Sequence, residues 1–211
     1  MTRKLKIHWL FWSLLVALVA AGAQMSTAEF VTVNLRPQAT VSVSVFRPLP
    51  HQLGLALSFR RRAWQLRPEL GVYAAGQKAG FIEFLQPGVP IKLLVSSEGK
   101  AVAYEALPVT SHSETVATRR LLPYTDDGDP KRFQWPSKGG IALSSGWSTL
   151  SITVLEVGQP LVGEQVTLAI HSPINLRSMA SGYGLFYWLV FWPWYALFLV
   201  GYGAALLWKC R

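Results

Sequence analysis

Hydrophobic residues follow two different patterns along this chain. At both ends they run unbroken, and between the ends they alternate with polar ones. Residues 7–28 carry no charge and contain a tight apolar block at 7–23, 17 residues long. Residues 183–208 form a second charge-free run of 26 residues. At ~1.5 Å per helical residue that run reaches roughly 39 Å, more than the about 30 Å of a bilayer's hydrocarbon core. The expected organisation is a basic stub and transmembrane anchor at 1–28, a water-soluble domain at 29–178, a transmembrane helix at 179–208 and a basic tail at 209–211.

The middle reads as strands. Residues 40–46 (TVSVSVF) alternate β-branched and polar side chains, the period-2 signature of a half-buried strand. Residues 30–35, 53–59, 81–85, 91–96, 101–106 and 116–122 are short apolar or alternating runs, separated by Pro and Gly punctuators. Residues 147–157 and 164–170 read as a hairpin-like pair with a long loop, and 107–136 as an irregular excursion. No amphipathic helix stands among them. Regular strand spacing of this kind, about nine to eleven strands, predicts an antiparallel β-sandwich, immunoglobulin-like or jelly-roll-like. The Cys–Trp–Cys core of true immunoglobulin domains is missing, because Cys210 is the sole cysteine.

Charge orients the chain. Arg3, Lys4 and Lys6 precede the first apolar run, and Lys209 and Arg211 follow the second. Five units of the net +9 are therefore terminal, and the middle keeps four, from 15 basic and 11 acidic residues. Basic residues beside membrane spans favour the cytoplasmic side. Both termini are thus expected inside, with the central domain outside, in a bacterial inner membrane with the domain in the periplasm. The basic balance is read as a topology signal, not as a nucleic-acid surface. Ala21-Gly22-Ala23 or Ser26-Thr27-Ala28 would also suit a cleaved signal peptide, but the length of the apolar block favours a retained anchor. The lack of disulfide partners and of any Asn-x-Ser/Thr acceptor points away from a eukaryotic extracellular domain.

Candidate chemistry is sparse. Asp126-Asp127-Gly128-Asp129 lacks the spacing of a calcium loop, and Lys131-Arg132 can neutralise it. His112 lies between serines beside Glu114, yet no nucleophile elbow occurs. No catalytic residue, cofactor site or metal site is expected. Arg60, Arg61 and Arg62, followed by Trp64 and Arg67, form the strongest basic cluster outside the stubs, suited to gripping oxyanions of an anionic partner. In the membrane segments, Ser13, Ala17 and Ala21 recur at i, i+4, i+8, and Pro193, Ala196, Val200 and Gly203 lie on a slim seam of the second run. Small residues at such spacing let helices approach closely in lipid. Opposite that seam, eight aromatic residues stand between Tyr187 and Tyr202.

These features favour a non-enzymatic accessory or assembly subunit of a membrane protein complex, docked through its helices onto an integral membrane partner and presenting a periplasmic β-domain. A membrane-bound binding or immunity protein that intercepts a ligand or toxin is the second expectation. A tethered enzyme acting on glycan or lipid is the third, and it would need clustered acids or a metal site, for which the chain offers only the Asp126 to Asp129 turn.

Overall fold

The chain divides into two compact units, Met1–Thr27 with Pro173–Arg211, and Ala28–Ser172. The computed structural model describes residues 2–26, 28–47, 49–62, 65–78, 80–124, 129, 131–134, 139–171 and 183–210.

The first unit holds two helices, α1 (Arg3–Ser26) and α2 (Tyr183–Cys210). Leu and Ala, both good helix formers, recur through the two runs. Among the described residues one helical stretch, Arg3–Ala21, is long and apolar enough to cross a membrane, a property that signal sequences share. Pro193 lies inside α2, where its ring removes one backbone bond. The helices touch through Trp12 of α1 against Leu199 and Gly203 of α2, and through His8 against Tyr202.

The second unit is mostly antiparallel β. Its described strands are β1 (Glu29–Asn34), β2 (Thr40–Arg47), β3 (His51–Gln52), β4 (Leu55–Arg60), β5 (Val72–Lys78), β6 (Phe81–Gln86) and β7 (Ile91–Ser97). They continue with β8 (Lys100–His112), β9 (Val116–Pro123), β10 (Arg132–Gln134), β11 (Ala142–Leu143), β12 (Gly146–Val157) and β13 (Gln165–Ile170). Eight strands follow one path, β2-β12-β7-β8-β9-β4-β13-β1, and the edge strands β1 and β2 come close without a ladder, so the sheet is nearly closed. β8 also starts a branch through β5 and β6 to β10, while β3 and β11 pair separately. The contact of Val72 with Val109 is parallel; the other described pairings are antiparallel.

Period-2 alternation decides what lies inside. Leu55, Leu57 and Phe59 of β4, Leu93 and Val95 of β7, Leu150, Ile152 and Val154 of β12, and Val166, Leu168 and Ile170 of β13 are all buried in one core. Removing such side chains from water contributes about 1.5–3 kcal/mol each.

Two expectations change, and one strand, β5, had none. The expected excursion at 107–136 begins later, because β8 runs on to His112 through Pro108 by slipping register between Ala106 and Ser111. The proposed hairpin of 147–157 and 164–170 does not form: β12 pairs with β2 and β7, and β13 with β1 and β4. Its loop folds into a 3-10 turn, Gln159–Leu161, whose Leu161 is fully buried, so the chain crosses the core instead of reversing beside it. β5 was hidden by its Ala-Ala-Gly centre, a poor strand sequence, and its register slips twice there.

Candidate anion-binding site

β4 ends at Arg60, and the chain turns at once. The Arg61 amide donates to Thr115 O at 2.9 Å, and Gln65 N to Arg62 O at 2.7 Å. A 3-10 turn, Pro68–Leu70, follows and is pinned by the fully buried Leu70. Gly71 then takes φ +76, and a Cβ there would stand 2.6 Å from Gln86 O, so only glycine lets the two backbones approach. The result is a bowl of ≈ 790 Å³ lined by Arg60, Arg61, Arg62, Gln65, Leu66, Arg67, Pro68 and Glu69.

Arg67 holds the bowl together. Its Nη1 and Nη2 donate to the two carboxylate oxygens of Glu164, each at 2.7 Å, and its Nε to Glu69 at 2.6 Å. Nη1 also reaches Arg60 O at 3.0 Å, and the guanidinium lies 5.7 Å over the Phe59 ring. The Glu164 bond raises the Arg67 pKa, burial works against it, and the Glu69 bond adds to the rise. Arg67 is therefore a clamp already engaged by two carboxylates. Arg60 and Arg62 are exposed and Arg61 is half-buried. With Glu164 counted beside Glu69, four arginines stand against two carboxylates, leaving the bowl and its clamp at net +2. A bowl of guanidinium groups offers planar, bidentate donors, which suits carboxylate, phosphate or sulfate oxygens and supplies no nucleophile. Of the residues singled out from sequence, Arg60, Arg61, Arg62 and Arg67 are brought together here, and Trp64 lies outside the described residues. Glu164, 97 residues from Arg67, gave no signal in the sequence.

Ladder direction places the bowl. Leu55, at the start of β4, pairs with Ile170, which also pairs with Glu29. The chain thus enters and leaves this unit at one end. Arg60 lies five residues further along β4, about 17 Å at ~3.3 Å per residue, toward the opposite end.

The entry end carries a different polar group. Arg47 is 1% exposed and donates through Nη1 to Glu29 and to Phe46 O, both at 2.9 Å. Its Nε and Nη2 have no partner among the described residues. His51 lies close by: burial lowers its pKa, the backbone of His171 and Leu49 opposes this, and the Arg47 charge adds to the lowering. Burial likewise lowers His171, with Arg120 adding to it.

The other candidates fall as follows. Asp129 accepts from Lys131 N at 2.9 Å and faces Arg132 Nε at 3.3 Å, while Asp126, Asp127 and Gly128 lie outside the described residues. No group of three or more potential metal ligands occurs among the described residues. Ser113 Oγ accepts from Val116 N at 3.2 Å, in the turn between β8 and β9 that follows His112. In the helical unit Ser13, Ala17, Ala21, Pro193 and Val200 are exposed and Ala196 is half-buried. Gly203 is buried, and a Cβ there would meet Trp12 Nε1 at 3.1 Å. That absence of a side chain lets the indole donate to Leu199 O at 2.8 Å, while His8 Nδ1 and Tyr202 Oη lie 2.7 Å apart.

No protein-family model matches the chain, and neither does any curated protein. Among solved structures, a crystal structure of a protein from Sulfurospirillum deleyianum resembles it at 15% identity and a TM-score of 0.43, over 69% of this chain and 97% of that one.

Proposed function

We propose that this is a non-enzymatic, membrane-anchored accessory protein that holds an anionic partner in its basic bowl. α1 and α2 both span the bilayer in this reading, with their basic ends in the cytoplasm and the β-domain in the periplasm. The observation that carries it is the placement of the bowl, with Arg60 and Arg62 exposed, toward the end of the domain away from both connections to the helices. A tethered domain that binds at its far end presents its ligand outward. The Trp12 and Tyr202 contacts support a paired helical anchor, since a polar contact between apolar helices has few competing partners in lipid.

The test is co-purification of the detergent-solubilised, C-terminally tagged protein. Arg60→Glu with Arg61→Glu should abolish capture of a partner with acidic surface. Gly203→Leu, by forcing Trp12 away, should release an integral-membrane companion while the β-domain stays folded. Capture unaffected by either change refutes the proposal. The exposed arginines also favour interception of a soluble ligand; charge reversal that abolishes binding, with Gly203→Leu and Ala196→Leu silent, would put that reading first.

A further inference from the structure

The end of the β-domain at which the chain enters and leaves is ringed with outward-facing apolar side chains. Glu29 opens β1 and accepts from Arg47, which closes β2 and pairs with Gly146 at the start of β12. Because side chains alternate, Val45 and Arg47 are buried on the inner face while Phe46 between them is half-buried on the outer face. Ser148 is buried and Trp147 beside it is 75% exposed. Phe46 and Trp147 pack against each other at 5.3 Å. Phe30, one residue past Glu29, is 64% exposed, and Leu49, two past Arg47, is 51% exposed. Away from this end Leu66, Val72, Tyr73, Leu85, Leu155 and Val162 are also exposed, so it is the position of the rim beside the chain's entry, and not its apolar character alone, that sets it apart. Cations flank the aromatic rim. Arg120 is exposed one ladder step from Leu55, and Lys100 belongs to the hairpin whose Glu98 bonds Ser144 and Ser148.

Aromatic side chains with nearby Lys and Arg are the groups that settle at a bilayer's headgroup level. Connectivity says which surface can cover this rim. α1 ends at Ser26 and β1 begins at Glu29, so at most about 11 Å of extended chain separates them, at ~3.6 Å per residue.

We infer that Phe30, Phe46, Leu49 and Trp147 seat in the interfacial layer of the bilayer that holds the helices, so that the β-domain rests on the membrane by this rim. This rests on the membrane-anchored reading of α1. The bilayer covers apolar surface that water would otherwise meet, and the basic bowl is held away from the headgroups, leaving it to a partner.

The experiment uses the full chain in nanodiscs of phosphatidylcholine and phosphatidylglycerol, with Cys210→Ser as background. Single cysteines replace Trp147, Leu49, Leu66 and Leu14 in turn, each carries a nitroxide, and its accessibility to oxygen and to a water-soluble nickel chelate is measured. Leu14→Cys should be lipid-like, Leu66→Cys water-like, and Trp147→Cys and Leu49→Cys shielded several-fold from nickel at headgroup depth. Nickel accessibility at Trp147→Cys and Leu49→Cys equal to that at Leu66→Cys, with Leu14→Cys lipid-like, overturns the inference alone. A water-like Leu14→Cys overturns the membrane reading and the inference with it.

Discussion

Arg119→Met should destabilise the β-domain by about 3 kcal/mol. Arg119 is 1% exposed and spreads its guanidinium over three backbone carbonyls: Nη2 to Ala106 O at 2.6 Å, Nε to Leu107 O at 2.7 Å and Nη1 to Val89 O at 2.9 Å. Two of these carbonyls belong to the stretch where β8 slips register on β9 before Pro108, which has no N–H to give. Losing the donors leaves two buried acceptors and one half-buried acceptor unpaired, at about 1–3 kcal/mol each. Against that stands the cost of burying the charge. Burial pulls the Arg119 pKa well below the usual guanidinium value, down to about 10, with Glu105 opposing, a cost on the order of 3 kcal/mol. The difference is centred on about 3 kcal/mol, or a fall in Tm of roughly 6–12 °C for a domain of this size. Arg119→Lys should lose nearly as much, since an ammonium keeps the burial cost and cannot span three carbonyls. Arg47→Met is the contrast. Three of that side chain's five N–H groups have no partner among the described residues, and Glu29 is 27% exposed and can take water instead, so the change should cost under ~1 kcal/mol or stabilise. Thermal melts of the full-length protein in detergent, followed by the β-sheet circular dichroism, measure all three. An Arg119→Met protein within ~1 kcal/mol of the native one would refute this account of the bulge.

Acidification should loosen the domain: His51 and His171 are held below the ordinary value of 6.5, so as pH falls through 6.5 the unfolded chain takes protons first and stability drops. Comparing Tm at about pH 7.5 and about pH 5.5 should show a smaller loss in His51→Gln than in the native protein, and an equal loss would exclude His51 as a cause. Tyr104→Phe should cost about 1–3 kcal/mol in urea titration, because the buried Tyr104 hydroxyl accepts from Ile141 N at 2.9 Å and no phenyl group can replace it.

How far the fold could be read from sequence differed by feature. The unbroken apolar ends were legible as helices because their length and their helix-forming Leu and Ala residues are written locally. Strands such as Thr40–Arg47 and Ile91–Ser97 were legible because period-2 alternation is written within each strand. The Arg60–Arg62 cluster announced a basic surface for the same reason: it is local. Alternation says which face of a strand is buried and nothing about its neighbour. Only the packed structure therefore sends β13 to β1 and β4 rather than back onto β12, once Leu161 is drawn into the core. The roles of the arginines were equally hidden. Arg67, Arg119 and Arg47 look alike in sequence, yet one is clamped by Glu164, one caps a bulge and one is buried with most of its donors idle. A guanidinium's role depends on which acceptors lie within hydrogen-bond reach, and for Arg67 the decisive carboxylate stands 97 residues away.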